Sequence, residues 1–432
     1  MKDKSNLGTL AALGFIFIVS ISHIGNGVER TQSIELMLAY FAAFSAYGWL
    51  CSMEHSKVGY LISLGAITRV SLLFSLPNLS DDFYRFLWDG HISNASYDPF
   101  SLLPREALEL SIAGVNPQLF GHLNSPDYYT VYPPTNQLVF SLATFLGQQN
   151  ELLAVNVIRS MIIVADFASF WLIFKLLGGD HKRSFWFLLN PMIILEFTGN
   201  LHFEAFTIFF ILLAVWFVKR NDKLLSGVAI GVAASIKLLP IIFLPAFAWR
   251  SRWKTGIVLS VLALSILLGS LAPVWIGASW SEIASSLSLY YQSFEFNASI
   301  YYLLREVGFW FKGYNIIQTL GPRMAILAGI LIIIITIRSD LKKNQLAQTL
   351  LYSLTIYLLM STTVHPWYIL PLVPLGLLAG HYYPIVWSLM AFTTYLGYTD
   401  EGYHLSMLWI FAEYGFVLLI GFIELKRRHA FS

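Results

Sequence analysis

Charge is what this 432-residue sequence has least of. Asp, Glu, Lys and Arg make up 12% of it, about half the roughly 25% of a soluble domain. The net charge of +2 is not clustered, so no basic patch invites nucleic acid. Cysteine is nearly absent: Cys51 alone cannot close an intramolecular disulfide, and there is no CxxC metal motif. Three chemical signatures are also missing. Neither a GxxxxGK[ST] loop nor a GxGxxG turn opening a helix is present, which leaves a soluble nucleotide donor without a binding motif, and there is no HExxH. What fills the space is apolar, 56% of all residues. No soluble fold of this size hides so much apolar surface, so lipid must be the solvent for most of it.

The apolar residues fall into successive runs: Gly8–Ile24, Ser33–Met53, Val58–Leu76, Leu152–Leu177, Ser184–Thr198, Phe203–Val218, Leu224–Ile236, Leu238–Trp249, Gly256–Ile276, Pro322–Ile337, Leu346–Thr362, Pro366–Ala379, Pro384–Tyr398 and Leu405–Leu425. An all-α polytopic membrane protein with about 12–14 transmembrane helices is expected. The two runs flanking Lys237 are short, at roughly 18 Å of helix each, and suit a broken or re-entrant element. With the N-terminus inside, basic residues such as Lys182–Arg183, Lys219–Arg220, Arg250, Arg252, Lys254 and Lys426–Arg427 fall on the inner face, while few, among them Arg30, Arg85, Arg105, Arg305 and Lys312, fall outside. This follows the positive-inside rule and places both termini in the cytoplasm. The expected segments are 1–76 with three helices, a long outer loop 77–150, central helices in 151–276, a second outer loop 277–321, and C-terminal helices in 322–432. Inner connections are short and basic, so the outer face is where loops can carry function.

The outer loop opens with Ser80-Asp81-Asp82-Phe83-Tyr84-Arg85-Phe86-Leu87-Trp88-Asp89-Gly90. Ser80 reads as an N-cap with Asp81 and Asp82 in the first helical turn, and Asp81, Tyr84, Arg85 and Trp88 share a face. The plain structural reading is a capped amphipathic helix with an Asp81–Arg85 ion pair. The functional one rests on two adjacent carboxylates at a membrane surface, where crowded like charges shift proton affinities. Tyr132 precedes Pro133-Pro134 and is otherwise an interfacial aromatic. Asn200-Leu201-His202-Phe203-Glu204 closes an outer joint just after Glu196, an ionisable residue at membrane depth. Lys237, between its short halves, either meets an anion or snorkels to the surface. Thr362-Thr363-Val364-His365-Pro366-Trp367-Tyr368 forms another outer turn. Arg69, Arg159 and Asp166 lie inside predicted spans. Arg159 and Asp166 share a helix face and read as a structural ion pair or network.

Taken together, Asp81-Asp82-x-Tyr-Arg-x-x-Trp-Asp-Gly, Tyr132-Pro-Pro, Asn190-Pro191, Gly199-Asn200-x-His202, Lys237-Leu-Leu-Pro240 and His365-Pro-Trp-Tyr368 resemble bacterial GT-C mannosyltransferases close to the glycosyltransferase 87 group. The resemblance runs from about Ser80 to Leu370, with the aspartate pair its most specific element. Val131 stands where some eukaryotic relatives place an aspartate before Tyr-Pro-Pro. The resemblance implies a GT-C-like helical bundle whose first long periplasmic loop bears amphipathic helices and the catalytic acid. It also implies a polyprenyl-phosphate hexose donor, mannose being the expected sugar, with inverting chemistry and no separate cofactor.

The residues suit that chemistry. A single displacement needs a base for the acceptor hydroxyl, here Asp81 or Asp82, and stabilisation of the departing lipid phosphate. Lys237, His202 and His365 are the cationic or donor groups, and Arg85, Trp88, Asp89, Tyr132, Asn200, Glu204 and Tyr368 complete the expected substrate site. Expected partners are the polyprenyl-phosphate hexose, a glycan or glycolipid acceptor and the bilayer of the bacterial inner membrane. No metal is expected, although paired carboxylates suit Mg²⁺ or Mn²⁺. A second reading is a transporter or flippase of a lipid-linked saccharide, with Arg69, Arg159 and Asp166 lining its path. No convincing inverted repeat supports it.

Overall fold

The computed structural model describes residues 2–53, 57–277, 279–339 and 345–430. Among these the chain is almost wholly helical, its one strand pair being the two-residue hairpin Tyr398–Thr399 with Gly402–Tyr403. Six helices are long and apolar enough to cross a membrane: Leu7–Gly27, Ser33–Ser52, Glu151–Leu176, Trp253–Ser270, Ile317–Arg338 and Met407–Arg427. Pro191–Gly199 with Glu204–Lys219 makes a seventh if that broken pair is one span. The chain is a multi-pass helical membrane protein.

Other expected spans exist as shorter pieces, and proline accounts for much of the difference. The run Ser184–Thr198 is interrupted where Asn190 caps a new turn, its side chain accepting from the amides of Met192 and Ile193 ahead of Pro191. The chain then passes through a π-helical turn, Ile194–Gly199. Pro240 and Pro245 likewise divide the segment after Lys237 into a 3₁₀ turn Leu239–Phe243 and a short helix Leu244–Trp249. Val58–Val70 has 13 residues and Leu346–Met360 has 15.

Residues 1–79, 163–202 and 365–432 form one compact unit. Tyr40 stacks on Phe392 at 3.7 Å and donates to the Ser388 carbonyl at 2.7 Å, while Asn190 reaches the Ser388 hydroxyl at 2.9 Å. Deep within it Arg69 pairs with Asp166 at 2.7 Å, both fully buried. The remaining guanidinium donors serve the carbonyls of Gly65 and Leu188, each at 2.9 Å. The expected structural ion pair is thus present, but between Arg69 and Asp166 instead of Arg159 and Asp166. Seven residues put Arg159 and Asp166 about 10 Å apart along the helix, and one guanidinium nitrogen of Arg159 donates to Asn156 at 3.4 Å.

Residues 80–162 and 203–364 form the second unit. Here the helix Asp82–Asn94 packs on Pro134–Gly147 so tightly that a side chain at Gly90 would collide with the Phe140 carbonyl. Asn94 fastens the far end to the Thr144 hydroxyl at 2.9 Å. Lys223–Ile236 meets Trp253–Ser270 through Gly227 and Gly231, which let the backbones of Leu259 and Ala263 come close.

Candidate active site

In the second unit the helix begins at Asp82, leaving Asp81 in the N-cap position without a side-chain cap. Ser80 supplies a weak substitute, its hydroxyl accepting from the Asp82 amide at 3.4 Å. Both carboxylates are half-buried. One oxygen of Asp82 accepts from the Asn124 amide at 2.9 Å, and Ser125 holds the Asn124 carbonyl at 3.0 Å. Tyr84 stacks on His122 at 4.7 Å. Burial, then the negative charges of Glu151 and Asp81, push its phenol above the ordinary range, so it stays a proton donor.

The base of this helix is an ionic brace. Arg85 pairs with Asp89 at 2.7 Å, in place of the expected Asp81–Arg85 pair, because Asp81 precedes the first helical turn while Asp89 lies one full turn beyond Arg85. Arg85 also donates to the carbonyls of Ser125 and Tyr128 at 3.3 and 2.9 Å. Asp89 takes a second hydrogen bond from Gln137 at 3.0 Å, and Gln137 lies 3.3 Å from the Thr130 hydroxyl. Trp88 is fully buried near Phe120. Arg85, Trp88 and Asp89 thus order the loop from beneath, and that loop carries Asn124 to Asp82. Tyr132 packs edge-on against Phe86 at 4.9 Å, and Phe203 joins the same aromatic cluster at 5.6 Å from Phe86.

Glu204, directly after Phe203, opens the helix Glu204–Lys219 and forms an ion pair with Lys237. Lys237 is extended, with φ −150° and ψ 130°, between the helix Lys223–Ile236 and the 3₁₀ turn, so the expected break is present. Sequence reasoning named both residues but not their pairing: a separation of 33 positions carries no periodic signal.

The first unit holds the other expected residues. His202 stacks on Trp367 at 3.7 Å, and Trp367 stacks on His365 at 4.6 Å with a 2° interplanar angle. Tyr368 meets His365 edge-on at 5.2 Å. Asn200 donates to Glu196 at 3.0 Å. Asn124, Gln137 and Tyr395 escaped sequence reasoning, since single polar residues in loops or apolar runs follow no spacing rule. Among the described residues, no group of three or more His, Cys, Asp or Glu side chains is disposed to hold a metal ion.

An apolar multi-pass scaffold presenting half-buried aspartates at a braced helix start, with a lysine held by a carboxylate and imidazoles stacked on a tryptophan, defines a membrane protein with built polar sites. The family is specific: residues 19–252 match the MptA_B family model, described as the N-terminal domain of α-(1→6)-mannopyranosyltransferase, and the chain belongs to that family. It is 25% identical over 188 residues to α-(1→6)-mannopyranosyltransferase A of Corynebacterium glutamicum, an alignment covering 42% of this chain and 36% of the relative. The chain therefore aligns with little more than a third of that relative's length. No solved structure matches it.

Proposed function

We propose that this protein is a membrane glycosyltransferase that moves a hexose, mannose by likeness to the corynebacterial relative, from a polyprenyl-phosphate donor to an envelope glycan or glycolipid. The observation that carries this reading is the aspartate helix: Asp81 and Asp82 stand at its start, Asp82 is oriented by Asn124, and both sit above a buried Arg85–Asp89–Gln137 brace. Asp81 or Asp82 takes the proton of the acceptor hydroxyl as its oxygen bonds to the anomeric carbon. The bond from that carbon to the phosphate oxygen breaks in the same displacement, and its electron pair leaves with the lipid phosphate. Lys237 of the one unit, or His202 and His365 of the other, meet that charge. A single inverting displacement that yields an α linkage demands a β-linked donor. The site faces the periplasm of the bacterial inner membrane, with both termini in the cytoplasm, as the distribution of basic residues supports.

The test is transfer of labelled mannose from a synthetic polyprenyl-phosphate mannose by protein in proteoliposomes. Asp81→Asn and Asp82→Asn should insert and fold normally, and the variant lacking the base should lose transfer. Full activity in both removes the base assignment. Movement of label across the bilayer with no new glycosidic bond would support transport instead. The closed, fully buried Arg69–Asp166 pair speaks against that alternative.

A further inference from the structure

We infer that Glu196 is a positioning residue that fixes the His202 imidazole for its work on the donor phosphate, an inference resting on the donor reading above. Glu196 is fully buried in an otherwise apolar stretch, a costly place for an ionisable group. No lysine or arginine pairs with it among the described residues. Its carboxylate accepts from the Tyr395 hydroxyl at 2.7 Å on one oxygen and from Asn200 at 3.0 Å on the other. That second oxygen also stands 3.2 Å from Nε2 of His202, off the direction of a good hydrogen bond.

The backbone is shaped to bring these groups together. Glu196 lies in the π-helical turn Ile194–Gly199, a geometry that recurs at functional sites. Leu201 follows with φ at +63°, which a branched residue rarely adopts and which is held only where its surroundings require it. The turn closes with the His202 amide on the Glu196 carbonyl at 3.0 Å.

Two constraints then define the imidazole. The stack on Trp367, at 3.7 Å and 17°, sets the plane of the ring. The Glu196 carboxylate, 3.2 Å from Nε2, favours by its charge the ring rotation that keeps this nitrogen beside it. Nδ1, the other nitrogen bonded to Cε1, is then the one left for a substrate oxygen. Glu196 does not reach the substrate itself, being fully buried, and acts through His202 alone.

The experiment is a double-mutant cycle of wild type, Glu196→Gln, His202→Phe and the double variant, in proteoliposomes with polyprenyl-phosphate mannose as donor and an octyl α-mannoside as acceptor. Glu196→Gln keeps the shape of the side chain. It should lower kcat about 10- to 100-fold, the scale of a misplaced catalytic contact, with the acceptor KM unchanged. The double variant should be no slower than His202→Phe, and Tyr395→Phe should give a smaller loss in the same parameter. Wild-type kcat in Glu196→Gln, or losses that multiply in the double variant, overturn the inference. Transfer by wild type upholds the donor reading whatever the variants do. Thermal midpoints of the four proteins need no donor: shifts that fail to add support the Glu196–His202 coupling, and additive shifts refute it.

Discussion

Arg85 and Asp89, one helical turn apart, are joined at 2.7 Å with neither side chain more than 3% exposed, and together they tie the aspartate helix to the loop Ser125–Tyr128. Removing Asp89 would leave a buried guanidinium without its counter-charge, which costs about 3–5 kcal/mol. Asp89→Ala should therefore lower the thermal midpoint and speed proteolysis within residues 122–130. It should also lower transfer, because Asn124 would no longer be held against Asp82. An unchanged cleavage rate with normal transfer would show that the brace does not govern the loop.

The Lys237–Glu204 pair separates stability from function. Lys237→Met should reduce transfer or donor affinity by about 10- to 100-fold, the scale of a lost charge-stabilising contact, and should also lower stability, since Glu204 is left buried and unpaired. Adding Glu204→Gln should restore the thermal midpoint without restoring transfer. Lys237→Arg should keep part of the activity, because a single phosphate needs charge more than geometry. Normal donor binding and transfer by Lys237→Met would pass the phosphate role to His202, His365 or Arg305.

Arg69 and Asp166 make the opposite case. Asp166→Leu alone should destabilise by about 3–5 kcal/mol, while the double change with Arg69→Leu should recover much of that loss, as buried pairs replaced by apolar residues often do. Chemical denaturation in detergent measures both. Equal losses in single and double variants would mean that the arginine's hydrogen bonds to the carbonyls of Gly65 and Leu188 dominate the site.

His91, on the aspartate helix, supplies a pH test. Burial lowers its pKa below the ordinary 6.5. The unfolded chain therefore binds the proton more readily than the folded one, so stability is flat above about pH 6.5 and falls as the pH drops from there toward the lower folded value. Gly114, at φ +87°, lies against this ring, so the effect should appear as faster amide exchange around residues 112–116 in acid. His91→Gln should remove that acid step. A wild-type profile that stays flat from pH 7 to 5 would contradict the assignment.

The apolar runs fixed the class of fold directly, because lipid imposes a length and a composition that a sequence must display. Asp81-Asp82, Lys237 and His365 were visible for the same reason: charge or imidazole stands out against so apolar a background. What could not be read was partnership. Arg85 had candidate partners on either side at helical spacing, and only the start of the helix at Asp82 decided for Asp89. Arg69 with Asp166, and Glu196 with Tyr395, join residues 97 and 199 positions apart, beyond any local pattern. Helix lengths were overestimated where Pro191 and Pro240 interrupt runs whose hydropathy alone continues.

The helix Lys223–Ile236 has 14 residues, a rise of about 21 Å, against a hydrocarbon layer of about 30 Å. On the topology proposed above, with Lys219, Arg220 and Lys223 at the cytoplasmic surface, it would end some 9 Å short of the other. On that topology Lys237 and Glu204 would lie in a dimple that the bilayer must thin or water must fill. The proposed isoprenoid donor, with its headgroup in that dimple, would stay in hydrocarbon along its whole tail, so a long lipid carrier would not have to be lifted out of the leaflet for its sugar to be reached.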